Sequence, residues 1–442
     1  MAFKLILARL TGLLVLAAFI IGSCSNSVDP QEKAAAFSVL PPHLQAMDAT
    51  ALREHLDSSV AELLKEGGNW WEIGVEIDQA SELYASAIAL DDPLLAARCA
   101  YWLGRRLHYD DQETGVVLLE AAIEDASANG LKQEEAFLHV ALSGCLVFAG
   151  IELRAAKEAE KGDSQFQGLG HLEGRKLALM AIGRAYHKTG RFRKIAEAFD
   201  ASVEVARELG DSGDKLLPRL ALAGFAKMDA GLKYEGLARF ETALAESRES
   251  SDARDVLRSL NMLAFNRREY GMFASAEQNC LEALELPCRF DRAIYALDPY
   301  KTLFQVYRAT GQPEMAYAVL DQATADFGSI TAQSGQNGPS DFDASQLVPE
   351  MAALLVMAGD YKLEQGSPDA ALKYFQQAES ATNSMAWSPP ELDRDYGFIE
   401  AHIELGNVEA AQARLDALDS AGYLDPDSVS YTHLTLPTNR EV

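Results

Sequence analysis

The sequence predicts an all-α fold built from antiparallel helical hairpins that follow one another in series. Alanine, leucine and glutamate dominate the 442 residues, and only 15 prolines are present, which is the residue usage of a mostly helical protein. Glycines recur with a period near 40, at Gly150, Gly190, Gly231, Gly271, Gly311, Gly366 and Gly406. A fixed period over a chain of this length indicates a repeat array instead of one compact core.

Each of these glycines stands where the first helix of a hairpin has to end. Glycine takes the left-handed conformation at such a turn without the steric cost of a Cβ atom. The successive intervals are 40, 41, 40, 40, 55 and 40 residues. The interval of 55 marks an insertion at residues 325–346, where glycine, serine, asparagine and proline predict an exposed loop that is either functional or simply mobile.

Small and aromatic residues recur at fixed offsets around the turns. They are Gly183, Tyr186, Phe192 and Phe199 near Gly190, then Leu303, Tyr307, Ala316 and Ala323 near Gly311, and Gly359, Ala371, Phe375 and Ala378 near Gly366. This pattern resembles the tetratricopeptide repeat (TPR), in which small residues let two helices approach and aromatic residues fill the space between hairpins. The resemblance covers about residues 60–425. It implies a TPR-like αα superhelix, a right-handed solenoid of helical hairpins, with seven clear units and one or two degenerate units around and before Asp110.

The resemblance also implies a binding groove lined by the first helix of each hairpin. Projected onto this chain, the groove positions are Arg184, His187, Lys188, Phe225, Met228, Arg258, Asn261, Phe265, Arg268, Lys301, Gln305 and Arg308. The cations would suit an acidic peptide or a C-terminal carboxylate, and the apolar members would provide pockets. The alternative, which we favour, is that these cations pair with acids of neighbouring hairpins.

The N-terminus has the order of an export signal. Residues 1–23 contain Lys4 and Arg9 followed by an apolar run that is too short to predict a membrane span. The following Ile21–Cys24 resembles the lipobox of bacterial lipoproteins, which implies cleavage before Cys24, its lipidation, and a membrane anchor that does not cross the bilayer. An ordinary cleaved signal peptide is the alternative. Ser25 favours the periplasmic face of the outer membrane by the sorting rule of that family, and residues 24–45 are expected to form a flexible tether.

The last residues break the helical pattern. The segment VSYTHLTLPT, which begins at Val429, resembles a translated sequencing adapter. We therefore expect residues 428–442 to be a non-native tail. The repeat array then spans residues 46–427.

Sequence motifs of catalysis and metal binding are absent. The eight histidines are scattered and no HExxH, GxSxG or Walker lysine occurs, so neither an enzyme nor a metal or cofactor site is predicted. The glycines of residues 168–174 depart from the GxGxxG spacing and fit a helix linker. A net charge of −27 argues against nucleic acid as a partner, and its spread along the helices is typical of a solubilising surface.

The cysteines beyond Cys24 form no zinc pattern. Cys99, Cys145 and Cys280 fall among apolar helical positions, which favours buried free thiols. Cys280 and Cys288 are near in sequence, and a disulfide between them is the less favoured interpretation.

The functional prediction is a lipid-anchored scaffold or adaptor that binds other envelope proteins or acidic peptide segments. The alternative is a peptide-sensing or ligand-sensing module of a larger signalling or protease protein whose C-terminal effector domain is missing. Recovering the gene beyond Asp427 would separate the two.

Overall fold

A computed structural model describes residues 29–65, 69–249, 252–286, 297–334, 348–382 and 392–420. These ranges contain twenty α-helices, one short 3-10 helix at Gly213–Lys215, and no β-strand. The expected fold class, an all-α array of TPR-like hairpins, is confirmed. Cys24, Cys288, the signal peptide and residues 428–442 lie outside the described residues.

The chain divides into two units, residues 1–239 and 240–442. The helices of the first unit are α1 (Pro30–Ala36), α2 (Pro42–Gln45), α3 (Ala49–Leu64), α4 (Ile77–Ala89), α5 (Pro93–Asp110), α6 (Gln112–Ala128), α7 (Lys132–Phe148), α8 (Glu152–Leu169), α9 (Leu172–His187), α10 (Phe192–Glu208) and α11 (Leu217–Asp229). Helix α12 (Lys233–Glu249) carries the boundary. The second unit contains α13 (Ala253–Glu269), α14 (Phe273–Glu285), α15 (Asp298–Ala309), α16 (Pro313–Ser334), α17 (Val348–Glu364), α18 (Pro368–Thr382), α19 (Leu392–Glu404) and α20 (Val408–Ser420).

Within each unit the first helices of successive hairpins touch one another. Helix α7 packs against both α5 and α9 in the first unit, and α13, α15, α17 and α19 form the corresponding series in the second. Each second helix packs mainly against the first helices on either side of it. We call the surface presented by the series of first helices the inner face of each unit.

All seven glycines predicted to end a first helix have positive φ values, from 65° at Gly366 to 80° at Gly231. At Gly150, Ile151 N donates to Leu146 O at 2.8 Å, which closes the helix by satisfying a carbonyl left without a partner. Gly130, Gly170 and Gly210 end second helices in the same conformation. The turns of the first unit therefore recur about every 20 residues, with two turns in each hairpin repeat of about 40 residues.

Glycine and aromatic residues hold the hairpins at close range. A Cβ atom built on Gly359 or Gly397 would lie 2.4 Å from the ring of Phe375, so this buried ring fills the space between two successive first helices. The expected packing residues Leu303, Tyr307, Ala316 and Ala323 are likewise buried. Phe192 is different and 38% exposed, because it is the first residue of α10 and lies past His187, where the partner helix α9 ends.

Part of the expected tether is helical and packs on the array. Asp29 caps helix α1 by accepting from Gln31 N at 3.0 Å, and Pro30 occupies its first position, as is favourable there. Helix α1 packs against α6, and Lys33 Nζ lies 2.8 Å from the carboxylate of Asp111. The expectation of a flexible tether over residues 24–45 is therefore wrong for α1, which has both a cap and a docking surface.

The insertion loop expected at residues 325–346 begins later in the structure. Helix α16 continues to Ser334, because residues 325–334 contain only one helix-breaking residue, Gly328. Residues 335–347 lie outside the described part. No helix in the described ranges is long and apolar enough to span a bilayer.

Candidate functional site

Helices α5 and α9 present their residues to the inner face in the same register. A Cβ atom on Gly104 would lie 2.7 Å from Leu119, and one on Gly183 would lie 2.3 Å from Phe199, so both glycines face their own second helix. The residue after each glycine, Arg105 or Arg184, consequently points towards the inner face. Counting from these glycines places His108 on the same line as His187.

An exposed group of aromatic and cationic residues lies where the first helices of the first unit end. Tyr109 is 67% exposed and Phe148 is 53% exposed, although aromatic side chains normally avoid this much contact with water. The His108 ring stacks on Phe148 with centroids 5.1 Å apart, and Tyr109 meets Phe148 edge-on at the same distance. We call these rings, together with Arg184, His187 and Lys188, the inner-face cluster.

The electrostatics of the inner-face cluster favour a neutral His108. Partial burial, followed by the charges of Arg105 and Arg184, lowers the pKa of His108. An arginine at some distance along the face therefore acts on this ring. A negatively charged group bound between Arg184 and His108 would oppose this effect and raise the pKa of His108.

The three predicted groove residues of α9 are exposed. Arg184 and Lys188 form no ion pair with any described residue, whereas Lys176 at the other end of α9 is buried and lies 2.9 Å from Asp211. Cations in the last turn of a helix also interact favourably with its dipole. That stabilisation does not account for the exposed rings at the ends of the neighbouring helices α5 and α7.

The two predicted groove residues of α11, Phe225 and Met228, differ in exposure. Phe225 is 40% exposed on α11, and Leu222 one turn earlier is 36% exposed, so they add apolar surface to the inner face. Met228 is half-buried, with its Cγ atom 2.6 Å from where a Cβ on Gly236 would be. Met228 thus packs inside its own hairpin.

The four predicted groove residues of α13 differ in exposure. Asn261 is 8% exposed and Phe265 is 46% exposed, while Arg258 is half-buried. The guanidinium of Arg268 lies over the Phe265 ring, 4.7 Å from its centroid, and also pairs with Glu269. This arrangement gives one apolar patch covered by a cation that already has a partner.

The predicted groove residues of α15 form a seam with α17. Lys301 pairs with Glu350, Gln305 Nε2 lies 3.9 Å from Met357 Sδ, and Arg308 Nε donates to Glu364 at 3.0 Å. Burial opposes the charge of Lys301, but its hydrogen bond to Glu350 and the charges of Asp298 and Glu350 raise the pKa of the amine. The cations of this helix therefore pair with acids across hairpins, as in the second interpretation of the sequence.

A segment that the repeat pattern does not explain lies on the inner face of the first hairpins. Trp71 stacks on Phe137 with centroids 4.8 Å apart and meets His171 edge-on at 4.9 Å. Trp70 meets Tyr101 edge-on at 5.3 Å and lies under the guanidinium of Arg98. The two adjacent tryptophans were the only sign in the sequence that this segment is unusual. Because the segment lies outside the helical repeat, the repeat pattern could not show which residues the tryptophans contact.

The described residues contain no group of three or more histidine, cysteine, aspartate or glutamate side chains placed to bind a metal ion. Cys99, Cys145 and Cys280 are buried free thiols, as expected from their apolar surroundings. Cys280 makes no disulfide in this structure.

Comparison with known proteins supports the repeat assignment at the C-terminal end. The family model described as tetratricopeptide repeat matches residues 362–428, a stretch that includes helices α18, α19 and α20. No curated protein matches the chain.

Several solved structures are similar to this chain at low identity. The apo form of RapI is 12% identical with a TM-score of 0.49, and the match covers 85% of this chain and 100% of that one. The apo form of the quorum sensor NprR from B. thuringiensis is 13% identical with a TM-score of 0.40, covering 84% and 98%. A tetratricopeptide repeat protein from Parabacteroides merdae is 16% identical with a TM-score of 0.37, covering 76% and 99%. The described hairpins, closed by left-handed glycines, have a TPR-like fold, and residues 362–428 at their C-terminal end match the tetratricopeptide repeat.

Proposed function

We propose that this chain is a non-catalytic protein-binding scaffold of the bacterial cell envelope, and that the inner-face cluster is its binding site. The observation that carries the proposal is the exposed pair of Tyr109 and Phe148 at the ends of α5 and α7, together with the exposed Arg184, His187 and Lys188 at the same end of the neighbouring first helix α9. Aromatic and arginine side chains are the residues that contribute most at protein interfaces.

The chemistry of the inner-face cluster favours a segment that carries both an apolar side chain and a carboxylate. The rings of Tyr109 and Phe148 offer an apolar surface, and Arg184 and Lys188, which pair with no described residue, offer charge-assisted hydrogen bonds. A chain with a net charge of −27 repels acidic partners at long range. A local group of unpaired cations would guide such a partner to this one place.

The experiment selects short peptides from a displayed library against the full chain and measures their affinities. The charge reversal Arg184→Glu/Lys188→Glu should weaken binding by at least about tenfold, which corresponds to about 1.4 kcal/mol. Lys157→Glu/Arg193→Glu makes the same charge change at exposed positions of the second helices α8 and α10. This control should bind as the unmodified chain does.

A second variant tests the apolar half of the site. Tyr109→Ala/Phe148→Ala removes two exposed rings, so circular dichroism should show an intact fold while peptide affinity falls. Peptides that bind all variants equally would contradict the proposed site. Enriched peptides without acidic residues would contradict the proposed ligand chemistry.

The lipid anchor is a separate part of the proposal. It is supported by the resemblance of Ile21–Cys24 to a lipobox and by the export signal before it. Membrane fractionation of cells that express the chain should recover it with the outer membrane, and Cys24→Ala should release it. Recovery of both forms in the soluble periplasmic fraction would contradict anchoring at Cys24.

A further inference from the structure

Residues 69–76, with the sequence NWWEIGVE, cross the inner face in place of a short turn. Helix α3 ends at Leu64 and α4 begins at Ile77, whereas α7 ends at Phe148 and α8 already begins at Glu152. The extra length of the first connection reaches the first helices of the next two hairpins. The described part of this connection thus lies where TPR arrays present their groove.

The contacts of this segment fall on inner-face positions. Counting from Gly104 in α5, the residues that match Leu177, Met180 and Arg184 of α9 are Arg98, Tyr101 and Arg105. All three touch the tryptophans: Arg98 lies 5.1 Å from the centroid of Trp70, and Tyr101 and Arg105 bond to Trp71 O. The segment therefore occupies the line of positions that continues into the inner-face cluster at His108.

The array binds the main chain of the segment as well as its rings. Trp102 Nε1 donates to Trp70 O at 2.7 Å, and Arg105 Nη1 donates to Trp71 O at 2.8 Å. Residues 69–72 form a turn in which Glu72 N donates to Asn69 O at 2.9 Å. Donors to two consecutive carbonyls recognise the backbone of this turn whatever its side chains are. The rings of Phe137, Tyr101 and His171 then select aromatic side chains.

The fit of the segment is incomplete. The indole nitrogens of Trp70 and Trp71 are buried, and neither has a hydrogen-bond partner among the described residues. A buried donor without an acceptor disfavours the bound arrangement. A partner segment that leaves no buried polar group without a hydrogen bond would compete effectively with residues 69–76 for this surface.

We infer that the inner face of the first hairpins is a receptor for a short turn-forming segment with adjacent aromatic side chains, occupied in this chain by residues 69–76. A partner segment of the same chemistry binds by displacing residues 69–76. This inference rests on the proposed function, because the displaced segment borders the inner-face cluster. It adds that the free chain holds its own competitor.

The first experiment uses a fluorescently labelled peptide with the sequence of residues 69–76 as the probe. The full-length variant Trp70→Ala/Trp71→Ala, whose own segment no longer competes, should bind this probe at least about tenfold more tightly than the unmodified chain does. A peptide in which both tryptophans are replaced by alanine should bind neither. If circular dichroism shows that the double variant is unfolded, Trp71→Ala alone replaces it.

The second experiment needs no variant. Amide hydrogen exchange of residues 69–76 is followed in the unmodified chain, with and without an excess of the same peptide labelled with heavy isotopes. Exchange of the chain's own segment should increase when the free peptide is present. Equal binding of the probe to both folded chains, or no change in exchange, would overturn the inference.

The two proposals fail separately. Library peptides that ignore Arg184→Glu/Lys188→Glu count against the inner-face cluster as a binding site. A free peptide of residues 69–76 that does not bind counts against the receptor for aromatic segments, because that probe is recognised by α5 and α7 instead of α9.

Discussion

The ring of Phe199 occupies the space that a side chain at Gly183 would need. A Cβ atom on Gly183 would lie 2.3 Å from a ring carbon of Phe199, which is 7% exposed. The two helices of this hairpin can therefore approach only because position 183 carries no side chain. The same relationship joins Gly359 to Phe375 in the second unit.

We predict that Gly183→Ala destabilises the protein by about 1–3 kcal/mol, because the added methyl group forces the ring or the helix to shift. Gly168→Ala is the matched control. Gly168 lies in helix α8 with no atom within 4 Å of a Cβ built there, so alanine should be neutral or stabilising by about 0.5 kcal/mol. Urea denaturation of both variants checks this, and equal effects would contradict the packing role of Gly183.

The ion pair of Lys301 with Glu350 between α15 and α17 predicts that exchanging the two charges restores part of the stability that a single charge reversal removes. Lys301→Glu should lower the free energy of unfolding by about 2 kcal/mol, because it places like charges beside Glu350 in a half-buried position. Adding Glu350→Lys should recover part of this loss, measured as a double-mutant cycle. A cycle without a coupling energy would contradict a structural role for this pair and return Lys301 to the list of ligand-binding candidates.

The buried His139 predicts a dependence of stability on pH. Burial, only partly opposed by the charge of Glu158 and a 2.8 Å hydrogen bond to it, lowers the pKa of His139. The unfolded chain therefore takes up a proton near pH 6.5 that the folded chain resists. The stability that the neutral His139 contributes is fully present above that pH. It is lost as the pH falls through the lowered pKa of His139 in the folded state.

The measurement for His139 is the urea midpoint between neutral and mildly acidic pH. His139→Gln keeps a donor for Glu158 but cannot be protonated, so its midpoint should fall less steeply with acid than that of the unmodified chain. His187→Gln replaces an exposed histidine and serves as the control. Identical slopes for all three proteins would contradict the prediction.

The cysteines should resist alkylation until the protein unfolds. Burial raises the pKa of Cys99 strongly and raises the pKa values of Cys145 and Cys280 to about 12, so little thiolate is present at neutral pH. Mass spectrometry should find these three residues unlabelled in the native protein and labelled in denaturant. Recovery of a disulfide between Cys280 and Cys288 would contradict the buried free thiol of this structure.

Local features of the fold were predictable from the sequence because they depend on local physics. A left-handed turn after a helix favours glycine, although Asp91 adopts this conformation after α4. The spacing of Gly150 and Gly190 was therefore sufficient to place the hairpins. The turns at Gly130, Gly170 and Gly210 were missed, although their spacing from the first set is equally regular. The close approach of Gly183 to Phe199 follows from the same repeat.

The candidate site was less predictable because it depends on what lies opposite each side chain. Lys301 and Arg308 have the correct position on their helix, but only the three-dimensional arrangement shows that Glu350 and Glu364 face them. Met228 turns into its own hairpin because Gly236 leaves room for it. His108 and Tyr109 belong to the degenerate hairpin around Asp110, so the groove projection did not reach them. Phe148 lies in the clear unit that turns at Gly150, but the projection began only with the next unit.

The turn glycines have a consequence for chemical synthesis. At Gly150 and Gly190 the backbone is left-handed, yet no atom lies within 4 Å of where a Cβ would stand. The requirement at these turns is one of chirality and not of space. D-alanine, which prefers positive φ values, should therefore suit this backbone and make each corner of the array stiffer, while its mirror image, L-alanine, would strain the same corner.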